Sequence, residues 1–291
     1  MTSDILTLIQ NGMSRFSKGQ KLIANYILTS YDKAAFMTAS KLGKTVNVSE
    51  STVVRFAVEL GYDGYPAMQK ALQEMIRNKL TSVQRLEVAN DRFGNQEILS
   101  MVLQADIDKI RSTMDEINRA DFQASVDAIL NAKTIYILGV RSSAAIASFL
   151  AFYFNLMFDN VKHIHTASNA EAFEQMVRIG EGDVVIGISF PRYSRRTVKA
   201  TKFARDRGAT VIALTDSMAA PIAQNATHTL IAMSDMVSLV DSLVALLSVV
   251  NALIVACSYR KEETMAKTFA NLEEIWDEYG VYEKVEDFTG V

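Results

Sequence analysis

Two stretches gather hydroxyl and guanidinium groups where a strand-like run gives way to a helical one: residues 138–147 (LGVRSSAAIA) and 187–200 (GISFPRYSRRTVKA). Backbone N–H groups at a helix start, serine hydroxyls and arginine forks together suit a phosphate or a carboxylate. Arg141, Ser142 and Ser143 in the first stretch, and Ser189, Arg192, Ser194 and Arg195 in the second, are therefore candidate anion-binding residues. The G-x-G-x-x-G spacing of a dinucleotide site is absent after Gly139, and there is no Walker-type Gly-Lys-Ser/Thr. A third cluster, Ser49, Ser51, Thr52 and Arg55, puts hydroxyls and a guanidinium near the start of a short helix, chemistry that meets both phosphates and base edges.

Other reactive types are thinly spread. His163 and His165 share one face of a regular strand, as two metal ligands would, but no carboxylate or cysteine is spaced to complete a site. They read as structural, with His165 at a strand end where it could touch a ligand. Glu171 and Glu174 follow that strand, and no histidine occurs after His228. No acid–base constellation for ring opening and proton transfer is visible, so we expect no catalytic residues, no metal and no cofactor. The basic run 192–207 reads mainly as a solvated face, apart from Arg192 and Arg195 at its loop-to-helix turn.

The elements that must position these groups divide the chain. Ser17 and Gln20 form an S-x-x-Q capping box ahead of Leu22, Ile23, Tyr26 and Ile27, a helix that fades near 30–32. A second helix starts after Thr38 and breaks at 46–48. Ser49 opens a third, with Glu50 in its first turn, Val53, Val54, Ala57 and Leu60 on its apolar face and Gly61 after its end. Ala39 and Gly43 supply the small residues that two steeply crossed helices need. Helix, tight turn, helix is the outline of a DNA-binding helix-turn-helix, and equally of a small bundle whose polar face is only wet.

Residues 38–72 resemble the helix-turn-helix of the RpiR family of bacterial transcription regulators. The resemblance rests on Ser49, Ser51, Thr52, Val53, Arg55, Phe56, Leu60, Gly61, Tyr62, Gly64 and Tyr65. It implies operator DNA as partner, contacted by Lys44, Ser49, Ser51, Thr52, Arg55 and Tyr62.

Residues 81–96 are polar and aperiodic and read as a linker. A long amphipathic helix is expected over 97–117, with Ile98, Val102, Ile107, Ile110 and Met114 on its buried side, then a shorter one capped by Asp121 and ending near Asn131. Apolar runs at 134–138, 161–165, 183–188, 210–214 and 227–231 alternate with helices at 143–158, 170–179 and 194–207. Short continuous apolar strands between helices predict a parallel sheet covered on both faces, with ligands beyond the carboxyl ends of its strands. The apolar helix 238–257 carries more hydrophobic residues than one contact face needs, which fits a central core helix or a subunit interface.

This body is similar to SIS domains, the phosphosugar-binding folds that form the C-terminal half of RpiR-type regulators. Gly139, Ser143, Ser189 and Ser194 match their G-x-G-x-S and S-x-S-G-x-T motifs, while Arg141, Pro191 and Arg192 depart. The resemblance implies an anionic sugar-derived effector, and SIS domains commonly dimerise, which favours the interface for helix 238–257. The alternative is a SIS-fold sugar-phosphate isomerase with an accessory helical domain.

Composition agrees. In 291 residues, 49% are hydrophobic and 22% charged, with one cysteine, so a disulfide framework is excluded. No apolar run spans a bilayer and the N-terminus has no signal-peptide pattern, so the expected location is the cytoplasm, without a membrane partner. Residues 1–80 hold ten Lys/Arg against six Asp/Glu, a net of +4, and the other 211 hold 20 against 27, a net of −7. A basic head on an acidic body suits a polyanion at the head. The expected architecture is an all-α helix-turn-helix head (1–80), a linker (81–96) and an α/β SIS-type domain (97–291) with a five-stranded parallel sheet flanked by helices, acting as a homodimer or tetramer.

Overall fold

Residues 5–77, 81, 83–86, 97–165, 168–234 and 240–282 are described by a computed structural model of the chain. Contacts divide it into two units. One comprises Met1–Ala105 and Asp235–Ser242, the other Asp106–Ser234 and Leu243–Val291. Most of the linker expected at 81–96, and residues 238 and 239 of the expected apolar helix, lie outside the described residues.

The first unit is helical: α1 (Ile5–Gly12), α2 (Lys18–Thr29), α3 (Tyr31–Ala34), α4 (Ala39–Thr45), α5 (Glu50–Glu59) and α6 (Tyr65–Arg77), with the start of α7 (Ile98–Glu116). The capping box forms as read, Ser17 N–H donating to Gln20 Oε1 at 2.9 Å. Thr38 and Ser49 cap α4 and α5, and Gly61 follows α5 at φ +92°. On α5, however, Phe56 joins Val53 and Ala57 in the core, while Val54 points outward at 39% exposure. A face centred on 53 and 57 also takes in 56, whose ring meets Phe16 edge-on at 5.0 Å. Helix α6 ties the unit together: Tyr65 Oη and Gln69 Nε2 each donate to the Met37 carbonyl at 2.7 Å. Burial pushes the Tyr65 phenol up to about 12, so it stays a donor at neutral pH. In the same unit the buried Arg85 pairs with Asp241 at 2.9 Å.

The second unit is built on five parallel strands in the order β2-β1-β3-β4-β5: β1 (Ile135–Gly139), β2 (Val161–His163), β3 (Val184–Ile188), β4 (Thr210–Thr215) and β5 (His228–Ile231). Strands β1 and β3 are buried along their whole length, which is why they read as unbroken apolar runs. Alternate residues serve opposite layers. Ile135 and Ile137 pack with α8 (Arg119–Leu130), α9 (Ser142–Met157) and α12 (Val244–Arg260). Tyr136 and Leu138 pack with α10 (Asn169–Gln175) and α11 (Arg195–Asp206). A last helix, α13 (Glu262–Glu278), follows.

Three expectations are corrected. Helix α8 is capped by Asn118, whose Oδ1 accepts from Ala120 N–H at 2.8 Å; Asp121 sits in the first turn, where its charge favours the helix start. The apolar helix starts at Val244 and buries one face (Leu246, Val249, Val250, Leu253, Cys257), leaving Val255 64% and Tyr259 80% exposed. Helix α7 has the expected extent, but Ile98, Ile107, Ile110 and Met114 are exposed and Val102 half-buried. Among the described residues no single helix is long and apolar enough to cross a membrane, and α12 and α13 are bent by 98° at their junction.

Candidate functional site

In the helical unit the geometry follows from how α4 meets α5. A Cβ on Gly43 would lie 2.8 Å from the Val48 carbonyl oxygen, so only glycine lets the turn close against α4. Asn47 takes the left-handed conformation at φ 57°, which asparagine tolerates, and the chain re-enters a helix at Ser49. Ser49 Oγ lies 2.9 Å from Ser51 Oγ and 2.8 Å from Thr52 Oγ1, a hydroxyl cluster at the positive end of α5. Arg55 is exposed one turn on, and its Nε–H donates to the Ser51 carbonyl at 3.2 Å. Lys44 is exposed in the last turn of α4, and Tyr62 is half-buried after α5. Ser51, Arg55 and the exposed methyls of Val54 and Val58 (57% exposed) thus share the outward side of α5. The two valines are additions that apolar patterning alone assigns to a core.

The second cluster forms where β1 and β3 lie side by side, Gly139 opposite Ile188. This is the point where the strand order reverses, and the connections from the two strands leave for opposite faces. The Ser189, Arg192 and Ser194 loop therefore lies beside the Arg141–Ser143 turn, although the two are some fifty residues apart in the chain.

Gly139 admits the close approach: a Cβ there would stand 2.5 Å from the Ser143 carbonyl oxygen. Arg141, immediately before α9, has φ 58° and ψ −128°, and Arg192 has φ 58°. Both arginines occupy the positions at which the motifs of similar domains carry glycine, and both keep a glycine-like backbone. Arg141, Ser142, Arg192 and Arg195 are exposed, Ser194 is half-buried, and Ser143 and Ser189 are buried. Ser189 Oγ accepts from Ser194 N–H at 3.3 Å, and Ser194 Oγ accepts from Thr197 N–H at 3.4 Å. Each hydroxyl keeps its own proton to donate.

Beneath the loop are partners the sequence did not reveal. Tyr193 Oη donates to Asp216 Oδ1 at 2.8 Å, and Thr215 Oγ1 donates to the Ser189 carbonyl at 2.8 Å. These contacts join the ends of β3 and β4, so no local spacing announces them. The outer members of the basic run are engaged elsewhere: Lys202 pairs with Asp206 at 2.6 Å, and Arg205 donates to the Ala226 carbonyl at 3.1 Å. His163 and His165 stand with ring centroids 5.7 Å apart, and burial holds the His163 pKa below its usual value, aided by the neighbouring His165. Among the described residues no group of three or more His, Cys, Asp or Glu side chains is placed to hold a metal ion.

Residues 3–79 match the helix-turn-helix domain of the rpiR family, and residues 128–256 match the SIS domain. The HTH-type transcriptional regulator HexR of Escherichia coli is 30% identical over 229 residues, covering 77% of this chain and 76% of HexR. An HTH-type transcriptional regulator of Clostridium perfringens is 26% identical, covering 75% of this chain and 77% of its own length. The structure of Vibrio vulnificus NanR complexed with ManNAc-6P aligns with a TM-score of 0.58 at 22% identity, over 94% of this chain and 98% of NanR. The sugar isomerase domain of an RpiR transcription factor from Sphaerobacter thermophilus aligns with a TM-score of 0.58 at 29% identity, over 62% of this chain and 99% of that domain.

Proposed function

The chain belongs to the rpiR family of helix-turn-helix transcriptional regulators, and from that premise we propose that an anionic sugar derivative, a phosphosugar or a sugar acid, controls its grip on an operator in double-stranded DNA. The observation that carries the effector reading is the pair Arg141 and Arg192, each in left-handed backbone at the end of one of two adjacent strands. A phosphate or carboxylate between them would meet N–H groups at two helix starts, the hydroxyls of Ser142, Ser143, Ser189 and Ser194, and the guanidinium groups of Arg141, Arg192 and Arg195. A neutral sugar could meet the hydroxyls but would offer the guanidinium groups no charge-assisted contact. NanR, a relative in fold, was solved with ManNAc-6P; the preference for an anion here rests on this chain's own residues.

On the DNA side, α5 is the recognition helix. Ser49, Ser51, Thr52 and Lys44 would hold phosphates, Arg55 would reach a base edge, and Tyr62 would steady the loop behind. The chain would act in the cytoplasm as a homodimer or a tetramer. Two recognition helices related by a two-fold predict a palindromic operator, with half-sites a whole number of helical turns apart. A selection from random duplexes that returns only single, asymmetric sites contradicts this.

We read the chain as a regulator and not as an isomerase, in keeping with its relatives' names. His228, the last histidine, pairs with Asp121 at 3.4 Å and opens β5, at the end of the strand away from the effector residues. Thermal unfolding with phosphosugars, sugar acids and neutral sugars tests the proposal. The right anion at about a hundred times its Kd should add roughly 2.7 kcal/mol, a rise of roughly 5–10 °C, and should change operator affinity. A response to neutral sugars alone defeats the anion reading, and turnover of a phosphosugar without DNA favours the enzyme.

A further inference from the structure

Helix α5 turns Val53, Phe56 and Ala57 inward, and all three are fully buried. Its outward stripe is Ser51, Val54, Arg55 and Val58, which a helix of about 3.6 residues per turn gathers on one side. Val54 is 39% exposed and Val58 57%. Neither burial nor propensity accounts for valine at these positions, since β-branched residues form helix less readily than Ala, Glu or Lys. A single exposed apolar side chain is ordinary, but here two of them bracket Arg55 on one stripe. The carboxylates of the helix stay off it: Glu50 and Glu59 lie about 90° to either side of its centre.

From this stripe, and resting on the reading of α5 as the recognition helix, we propose that Val54 and Val58 read operator thymines through their C5-methyl groups. In the major groove thymine alone among the four bases presents a methyl, and an apolar side chain is the group that meets it. The remainder of the stripe selects DNA as the occupant. Ser51 and Arg55 share it, the Ser49, Ser51 and Thr52 hydroxyls cluster at one end, and residues 1–80 hold ten Lys/Arg against six Asp/Glu. An apolar protein surface would bury that guanidinium and those hydroxyls without partners. The Nε–H bond to the Ser51 carbonyl draws the Arg55 side chain toward the helix start, away from Val58. The two valines are about 6 Å apart along the helix axis, close to two base steps of ~3.4 Å. Both thymines therefore belong to one half-site, next to the base that Arg55 reads.

Replacing each operator thymine in turn by deoxyuridine removes the methyl and leaves every hydrogen-bonding group in place. On an operator selected from random duplexes, the full chain should lose about fourfold in affinity at one or two positions of a half-site, the worth of one buried methyl. Val54→Ala and Val58→Ala should each weaken the thymine operator about three- to tenfold. Each variant should be nearly indifferent to uracil at its own position, so that the two losses do not add. The salt slope should stay that of the parent, because no phosphate contact is removed. Thermal unfolding should show both variants folded, since both side chains are exposed. If uracil matters nowhere, or costs the parent and the valine variants equally while Arg55→Ala weakens binding, α5 is the recognition helix but the valines read no methyl groups. If the valine variants and the combined Arg55→Ala and Ser51→Ala variant all bind as the parent does, the recognition helix lies elsewhere and both readings fall. A valine variant with a changed sedimenting mass would assign this face to a contact between copies of the chain and overturn the proposal.

Discussion

Replacing Arg141 with glycine should make the protein more stable and less able to sense its effector. Arg141 holds φ 58° and ψ −128°, a region that costs a residue with a Cβ about 1–3 kcal/mol and glycine almost nothing. The freer unfolded chain takes back about 0.5–1 kcal/mol, leaving a net gain of order 1 kcal/mol and roughly 2–4 °C in Tm. The lost guanidinium should cost the effector about 1.5–3 kcal/mol, roughly ten- to 150-fold in Kd, as expected for a hydrogen bond to a charged group. Arg141→Ala separates the two effects: it loses the same charge but keeps the Cβ, and should be no more stable than the parent. Titration calorimetry and thermal unfolding of both variants read the result. A glycine variant less stable than the alanine one would mean that Arg141 supports the fold. Unchanged effector affinity in both would remove it from the site.

Arg55→Ala should weaken operator binding by roughly 1–3 kcal/mol if the guanidinium reads a base, or lower the salt slope by about one if it holds a phosphate. Arg55 is exposed on the outward side of α5, and only its Nε–H is engaged in holding it to the Ser51 carbonyl. That bond orients the side chain along the helix toward the Ser49–Ser51–Thr52 cluster. Fluorescence anisotropy across a salt series distinguishes the two outcomes. Effector-induced thermal shifts should be the same as in the parent, because Arg55 belongs to the other unit. Tight operator binding that survives Arg55→Ala and Ser51→Ala together would mean that α5 is not the recognition helix.

Much of this protein is written locally. The caps at Ser17, Thr38 and Ser49 involve side chains and N–H groups three residues apart, so the residue types alone identify them. The strands are legible to within two residues, β1 and β3 most clearly because a strand buried along its whole length reads as a short apolar run bounded by turn residues. The arginines and serines of the proposed effector site stand out for a similar reason: each cluster sits in a single strand-to-helix turn.

What the residues did not determine is what faces what. Only the strand order brings the Arg141 turn against the Arg192 loop, and only then do Tyr193–Asp216 and Thr215–Ser189 emerge as its supports. The left-handed φ of both arginines is likewise invisible in composition. Helix α7 shows the limit most plainly. Its period announces an apolar stripe and a helix of the right length, but periodicity does not say which side of the helix the rest of the chain meets, and only the tertiary structure turns Thr113 inward and Ile107 and Met114 outward.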